Sequence, residues 1–236
     1  MASTSPLGGF SPGSSPGSPT NSFIFLGNFI NRGMKKDPNK DLKEITKFIY
    51  ELGILAKTPR SGFWFLGTGN QSVAEHICRT AMIGYILSYL TPKAKKDRVI
   101  FLCLIHDLGE GRTSDLNYVH QKYGRLAESE AVNDLSVNLP FGKEIKNAFD
   151  EAKDKITLEA KLAKDADNLE WIASLLDESK KGNIKADAWA KIALQRLKTP
   201  AGKKLGKLLF TIEPDSWWFK KDDQWFVDRK IKHLKK

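Results

Sequence analysis

Apolar residues recur at helical spacing from Asp41 onward: Leu42, Ile45, Phe48, Ile49, Leu52 and Leu55 share one face. Pro59 predicts the end of that helix, and the string RSGFWFLGTGNQ after it reads as a loop. Ser72 opens the next helix. Glu75, three residues on, completes a capping-box signature ahead of an apolar run to Leu90. Residues 99–105 (VIFLCLI) are continuously apolar, a pattern that a strand or a buried helix would satisfy equally. The helical surroundings and the length from Lys95 to Leu108 predict a central buried helix. Further helices are predicted over about 124–138, 142–152, 156–179, 184–197 and 200–210. Thr199 caps the last of these, with Pro200 in its first turn. The pattern contains neither alternating strand pairs with hairpin turns nor an internal repeat. The predicted fold class is all-α, a helical bundle.

The flanks differ in kind. Residues 1–31 hold no charged side chain and are crowded with Ser, Pro and Gly. Such a stretch buries too little surface to offset its ordering entropy, so residues 1–36 are predicted to be a disordered N-terminal segment. It is a poor secretory signal, and it is compatible with a transit peptide or with a natural start at Met34. Residues 37–212 read as the globular domain and 213–236 as a basic, aromatic C-terminal extension. An apolar fraction of 41% supports a folded core. No apolar run approaches the length that spans a bilayer, so a membrane is not an expected partner. The net charge of +10 suits a polyanion, either a phosphorylated metabolite or nucleic acid. Cys78 and Cys103 lie in apolar helical patterns and read as buried free thiols of a reducing, cytoplasmic compartment.

The sharpest chemical feature is His106-Asp107, at the end of the most apolar helix and followed by Gly109 and Gly111. A buried imidazole beside a carboxylate is costly unless something pairs them, and a divalent cation does so. Alone, the dyad reads as well as a core histidine next to a capping aspartate. Its companions are His76, in SVAEH, and the pair Asp165 and Asp167, in KLAKDADNLEWIASLL. Two imidazoles and two carboxylates suit a divalent metal cation (Mn, Co, Mg, Fe or Zn), which would polarise a phosphoryl oxygen. A helical wheel over 158–176 places Leu158, Leu162, Asp165, Leu169, Ile172 and Leu176 on one stripe, with Asp167 well round toward Ala163 and Ser174. Amphipathicity thus marks Asp165 as the buried carboxylate.

Taken together, the strings PRSG, SVAEH, HDLGEGRTSD and KDADNLE resemble the HD-domain metal-dependent phosphohydrolases, and among them the 5′-deoxynucleotidase branch. The resemblance covers about Lys57 to Leu176. It implies an HD-domain helical bundle with a central metal site, acting on a nucleotide substrate. The implied reaction converts a deoxynucleoside 5′-monophosphate to nucleoside and phosphate. The resemblance assigns His76, His106, Asp107 and Asp167 as metal ligands, and leaves Asp165 as a packing residue paired with a nearby Lys or Arg. It further implies Glu110 and Asp115 as the catalytic acidic pair, and Arg60 as the grip on the substrate phosphate. The spacing between Arg60 and His76 departs from the family pattern. Phe63 and Trp64 are both candidates for the aromatic residue that presses on the sugar in some members. Relatives often pair, which implies a homodimer.

Other chemistries of the same family, on nucleoside triphosphates or cyclic nucleotides, are the nearest alternatives. A di-iron oxygenase would need more histidines than the four in this chain. A different class, a non-catalytic nucleic-acid-binding protein, would use Trp217, Trp218 and Trp225 among the C-terminal lysines as a stacking platform. The plainer reading makes these tryptophans an anchor of the C-terminal segment on the core, and nucleic acid is not the expected partner. His120 reads as a surface or packed residue, His233 as exposed in the tail, and Glu128 and Glu130 as the solvated start of a helix.

Overall fold

The computed structural model describes residues 38–223 and 225–229. The chain divides into two units, 1–35 and 36–236, and the described residues lie in the second. The segment 1–36 and His233, on which the sequence carries expectations, fall outside the described residues.

Twelve helices follow one another among the described residues. The first four are α1 (Pro38–Leu52), α2 (Gly62–Leu66), α3 (Val73–Tyr89) and α4 (Lys96–Ile105). Next come α5 (Glu110–Thr113), α6 (Tyr118–Tyr123), α7 (Glu128–Ser136) and α8 (Gly142–Asp154). The last are α9 (Leu158–Lys180), α10 (Ile184–Leu194), α11 (Pro200–Leu209) and α12 (Trp225–Asp228). The described residues hold no strand, only an isolated bridge between Pro59 and Ser72. The all-α expectation holds. The helices α2, α5 and α6 are too short to leave a periodic trace, and α2 lies inside the stretch read as a loop.

Local chemistry sets the boundaries. Ser72 accepts from the Glu75 amide while the Glu75 carboxylate accepts from the Ser72 amide, so α3 starts where the sequence said it would. Thr157 caps α9 and Thr199 caps α11, the latter with Pro200 behind it. The run 99–105 is helix α4, with Val99, Leu102 and Cys103 fully buried. At about 1.5–3 kcal/mol for each large apolar side chain removed from water, α4 and α9 supply much of the core. α9 is the centre of the bundle: it packs against α3, α4, α8, α10 and α11, so it is covered on more than one face.

Several expectations fail for want of a neighbour. α1 ends at Leu52, not at Pro59, and it packs through Ile45 and Phe48 while Leu42 and Ile49 remain exposed. Cys78 is exposed, because the buried face of α3 runs through Val73, His76, Ile77, Thr80 and Ala81. The predicted helix 124–138 begins at Glu128, which is half-buried rather than solvated. Trp217 is 82% exposed. Trp218 and Trp225 cluster with Phe219 and Phe226 at ring separations of 5.0–6.1 Å, and none of these rings belongs to the core.

Candidate metal centre

Three helices deliver the predicted ligands to one place. The capping box sets the first turn of α3 and with it His76; α4 ends on His106 and Asp107; α9 presents Asp167 from its middle. His76 Nε2 lies 3.2 Å from Asp167 Oδ1 and 3.4 Å from Asp107 Oδ2. His106 Nε2 lies 3.1 Å from Asp107 Oδ2 and 3.9 Å from Asp167 Oδ1. One atom each from His76, His106 and Asp167 falls within 4.8 Å of the others.

The far side of each imidazole is already committed. His76 Nδ1 bonds Glu170 Oε2 at 2.6 Å and His106 Nδ1 bonds the Cys103 carbonyl at 2.8 Å, so each Nδ1 carries the donated hydrogen and, in the neutral ring, each Nε2 keeps its lone pair. Such lone pairs would face carboxylate oxygens, an arrangement that repels unless a proton or a metal cation stands among them. His106 Nε2 is buried and makes no hydrogen bond, the open valence that a metal would fill. In the metal-free protein a second proton on His76 takes the place of such a cation. Burial and Arg60 depress the His76 pKa, yet bonds to Asp167 and Glu170 outweigh them and raise it to about 9. Burial raises Asp107, but His106, His76 and Arg60 hold it well below the usual carboxylate range; Lys164, His76 and His106 do the same for Asp167.

Beside this cluster lies a cavity of about 1010 Å³, lined by Arg60, Asp107, Glu110, Asp115, Asp167 and Trp171 among others. Glu110 has an unpartnered buried carboxyl oxygen, and burial with Asp107 and Asp115 pushes its pKa up to about 10. Arg60 is half-buried; its guanidinium donates to Asp107 Oδ2 at 3.2 Å and lies 3.5 Å from Asp115 Oδ2. Asp115 is stitched to the loop before α2: its carboxylate accepts from the Ser61 amide at 3.1 Å, and its carbonyl accepts from Ser61 Oγ at 3.0 Å. Ser114, just before it, holds φ 69° and ψ 164°, a region that is essentially glycine's and costs on the order of 1–3 kcal/mol. The α5–α6 turn is therefore strained where it aims Asp115.

Asp165 is elsewhere. Its side chain is fully buried, as the wheel predicted, but among the described residues no Lys or Arg side chain pairs with it. It accepts from the Lys198 and Thr199 amides and from Thr199 Oγ1, and so docks the loop before α11. Phe63 is buried edge-on against Trp171 and Trp64 is exposed; the aromatics that line the cavity are Trp171 and Tyr118, which periodicity did not distinguish from packing residues. Glu170 was also missed as a working residue, although it ends the string KDADNLE. It is fully buried, accepts from His76, Arg79 and Gln71, and its pKa, which burial raises, is drawn down to about 2 chiefly by His76. His120 is a surface residue bonded to Asn117 at 3.0 Å, outside the metal cluster.

Known proteins fit this geometry. A 5′-deoxynucleotidase of Schizosaccharomyces pombe is 29% identical over 153 residues, covering 61% of this chain and 76% of its own length. A 5′-deoxynucleotidase of Danio rerio is 29% identical over 137 residues, covering 56% and 68%. A solved structure of a conserved hypothetical protein from Pyrococcus furiosus superposes with a TM-score of 0.64 at 28% identity, over 71% of this chain and 99% of that one. The family description "HD domain" matches residues 52–209, a span that contains all of the site residues described above. The chain belongs to the HD domain family.

Proposed function

We propose that this protein is a divalent-metal-dependent phosphohydrolase that converts deoxynucleoside 5′-monophosphates to nucleoside and phosphate. The observation that carries the reading is the convergence of two imidazole Nε2 atoms and two carboxylates beside a cavity that also receives a half-buried arginine. The name shared by the two relatives narrows the substrate. In this reading His76, His106, Asp107 and Asp167 hold the cation, whose identity among Mn, Co, Mg, Fe and Zn is open to assay. When bound, it supplies Lewis acidity toward the phosphoryl group and water. Arg60 offers a planar fork to the phosphate oxygens. Glu110, whose carboxyl holds its proton readily, exchanges a proton with the attacking water or the leaving oxygen. Asp115, fixed by Ser61, serves in this reading to contact the sugar or assist the leaving oxygen.

Nucleotide is then the partner. No helix of the described residues is long and apolar enough to cross a membrane, and the two free cysteines suit a reducing cytoplasm. The exposed stripe Met82, Ile86 and Tyr89 on α3 supports a homodimer, which sedimentation would detect as a concentration-dependent mass.

The deciding experiment measures phosphate release from nucleoside mono-, di- and triphosphates with each metal. Deoxynucleoside monophosphates should be turned over, and a chelator should abolish the activity. Glu110→Ala should retain metal and lose on the order of 10²–10⁴-fold in kcat, whereas Arg60→Ala should act mainly on KM. Full activity in chelator, or turnover confined to triphosphates, would overturn the reading.

A further inference from the structure

The cavity carries more positive charge than a single phosphate needs. Its wall includes Arg60, Lys155, Lys161, Lys164, Arg196 and Lys198, six cations against the four carboxyls of Asp107, Glu110, Asp115 and Asp167. Two of the six are spoken for at the metal cluster: Arg60 by Asp107 and Asp115, and Lys164 by Asp167 at 2.5 Å. The others have no carboxylate partner among the described residues. Arg196 bonds only the Tyr118 hydroxyl and lies over that ring at 4.6 Å. A bound divalent cation would raise the surplus further, so a dianionic phosphate at the metal leaves the wall uncompensated.

The placement of the surplus is ordered. Lys161, Lys164, Asn168 and Trp171 recur at intervals of three and four on α9 and all line the cavity, so one helix face connects the metal end to Lys161. Lys161 stands six residues before Asp167, a rise of roughly 9 Å along α9, on the scale of one nucleoside. Lys155 reaches the same wall from the end of α8 in the left-handed conformation, φ 56° and ψ 31°, where glycine is the usual occupant. Lys198 reaches it from the loop that Asp165 pins through the Lys198 amide. Three separate segments thus bring an unpaired lysine to one cavity. Tyr118 and Trp171 line the same wall.

Resting on the reading of this site as a nucleotide phosphohydrolase, we propose that, besides the monophosphates, it takes and prefers substrates with a second phosphate beyond the ester to be cleaved, bound by Lys155, Lys161 and Lys198. A nucleoside 3′,5′-bisphosphate and a short 5′-phosphorylated oligonucleotide share that chemistry. The bond broken is the same 5′ ester, and the second phosphate leaves on the product.

Equilibrium dialysis of the metal-loaded full chain tests the second site without turnover, using deoxyadenosine 3′-monophosphate and deoxyadenosine as probes, since neither has a 5′ ester. The 3′-phosphate should tighten binding about tenfold or more at low salt, the order expected of a few charge-assisted contacts at an open mouth. The gain should collapse in K155Q/K161Q/K198Q and persist in K203Q/K204Q/K207Q, which removes the same charge from exposed positions on α11. Equal affinities, a gain that survives the first triple variant, or a gain lost equally in both would overturn the inference. Kinetics with deoxyadenosine 3′,5′-bisphosphate and a 5′-phosphorylated dinucleotide then separate the two sources by the larger gain in kcat/KM over the monophosphate. Turnover of the monophosphate with no gain from a second phosphate sinks this inference and leaves the proposed function standing. Absence of turnover on every nucleotide sinks the proposed function, whatever the dialysis reports.

Discussion

Asp165 and Asp167 stand two positions apart on α9 and answer to different partners. Asp165 is satisfied by two backbone amides and a hydroxyl, so its charge is part of the fold. Asp167 faces two imidazoles and Lys164, so its charge is available to a cation. Asp165→Ala should leave buried amides unsatisfied and cost about 2–4 kcal/mol of stability, with metal content unchanged in the folded fraction. Asp167→Asn should lose bound metal and cost little stability. Chemical denaturation with metal analysis checks both, and metal loss confined to the Asp165 variant would reverse the assignment. Ser114 belongs at this scale too, since its positive φ is strain held next to Asp115.

At the scale of elements, the contact between α3 and α9 is buckled by Glu170, which binds His76 and Arg79 across the interface. Its folded pKa of about 2 lies below the ordinary 4.5, so the ionised form favours folding. That contribution is complete above about pH 4.5 and is lost as the pH falls through about 2. In metal-free protein, Glu170→Gln should lower stability at neutral pH, and its deficit against the parent should shrink as the pH drops across this window. The same variant should weaken metal binding by roughly 10–100-fold, because Glu170 orients the His76 ring. Acid unfolding followed by circular dichroism is the measurement; a deficit independent of pH would show that Glu170 acts through shape alone.

Over the whole molecule, the bundle treats two similar cysteines unequally. Cys103 is fully buried in α4 and burial pushes its thiol up to about 12, whereas Cys78 is exposed on α3. Alkylation at pH 8 should label one thiol per folded chain promptly and the second only on unfolding. Rapid labelling of both would mean that α4 is less enclosed than its contacts with α3, α8 and α9 indicate. The exposed apolar positions of α1 and α3, Leu42, Ile49, Met82 and Tyr89, also belong to this scale, because burial is set by which helices meet.

Helical class, the start of α3, the cap of α11 and the buried character of α4 were legible in the sequence, because each depends on side chains within a few residues of one another. The convergence of His76, His106, Asp107 and Asp167 was legible through four short strings, and the wheel identified Asp165 as buried. Tertiary structure alone decided what meets each buried charge. Asp165 is capped by amides from 33 and 34 positions away, and Glu170 reaches a histidine 94 positions back. Phe63, Trp64 and Trp171 look alike in a pattern of apolar residues, and only the packing of α2 on α9 puts Trp171 at the cavity wall. Periodicity reports which side of a helix avoids water. What stands on that side, whether a backbone amide, a ring or a second carboxylate, is fixed when distant segments pack, and the chemistry of the site resides there.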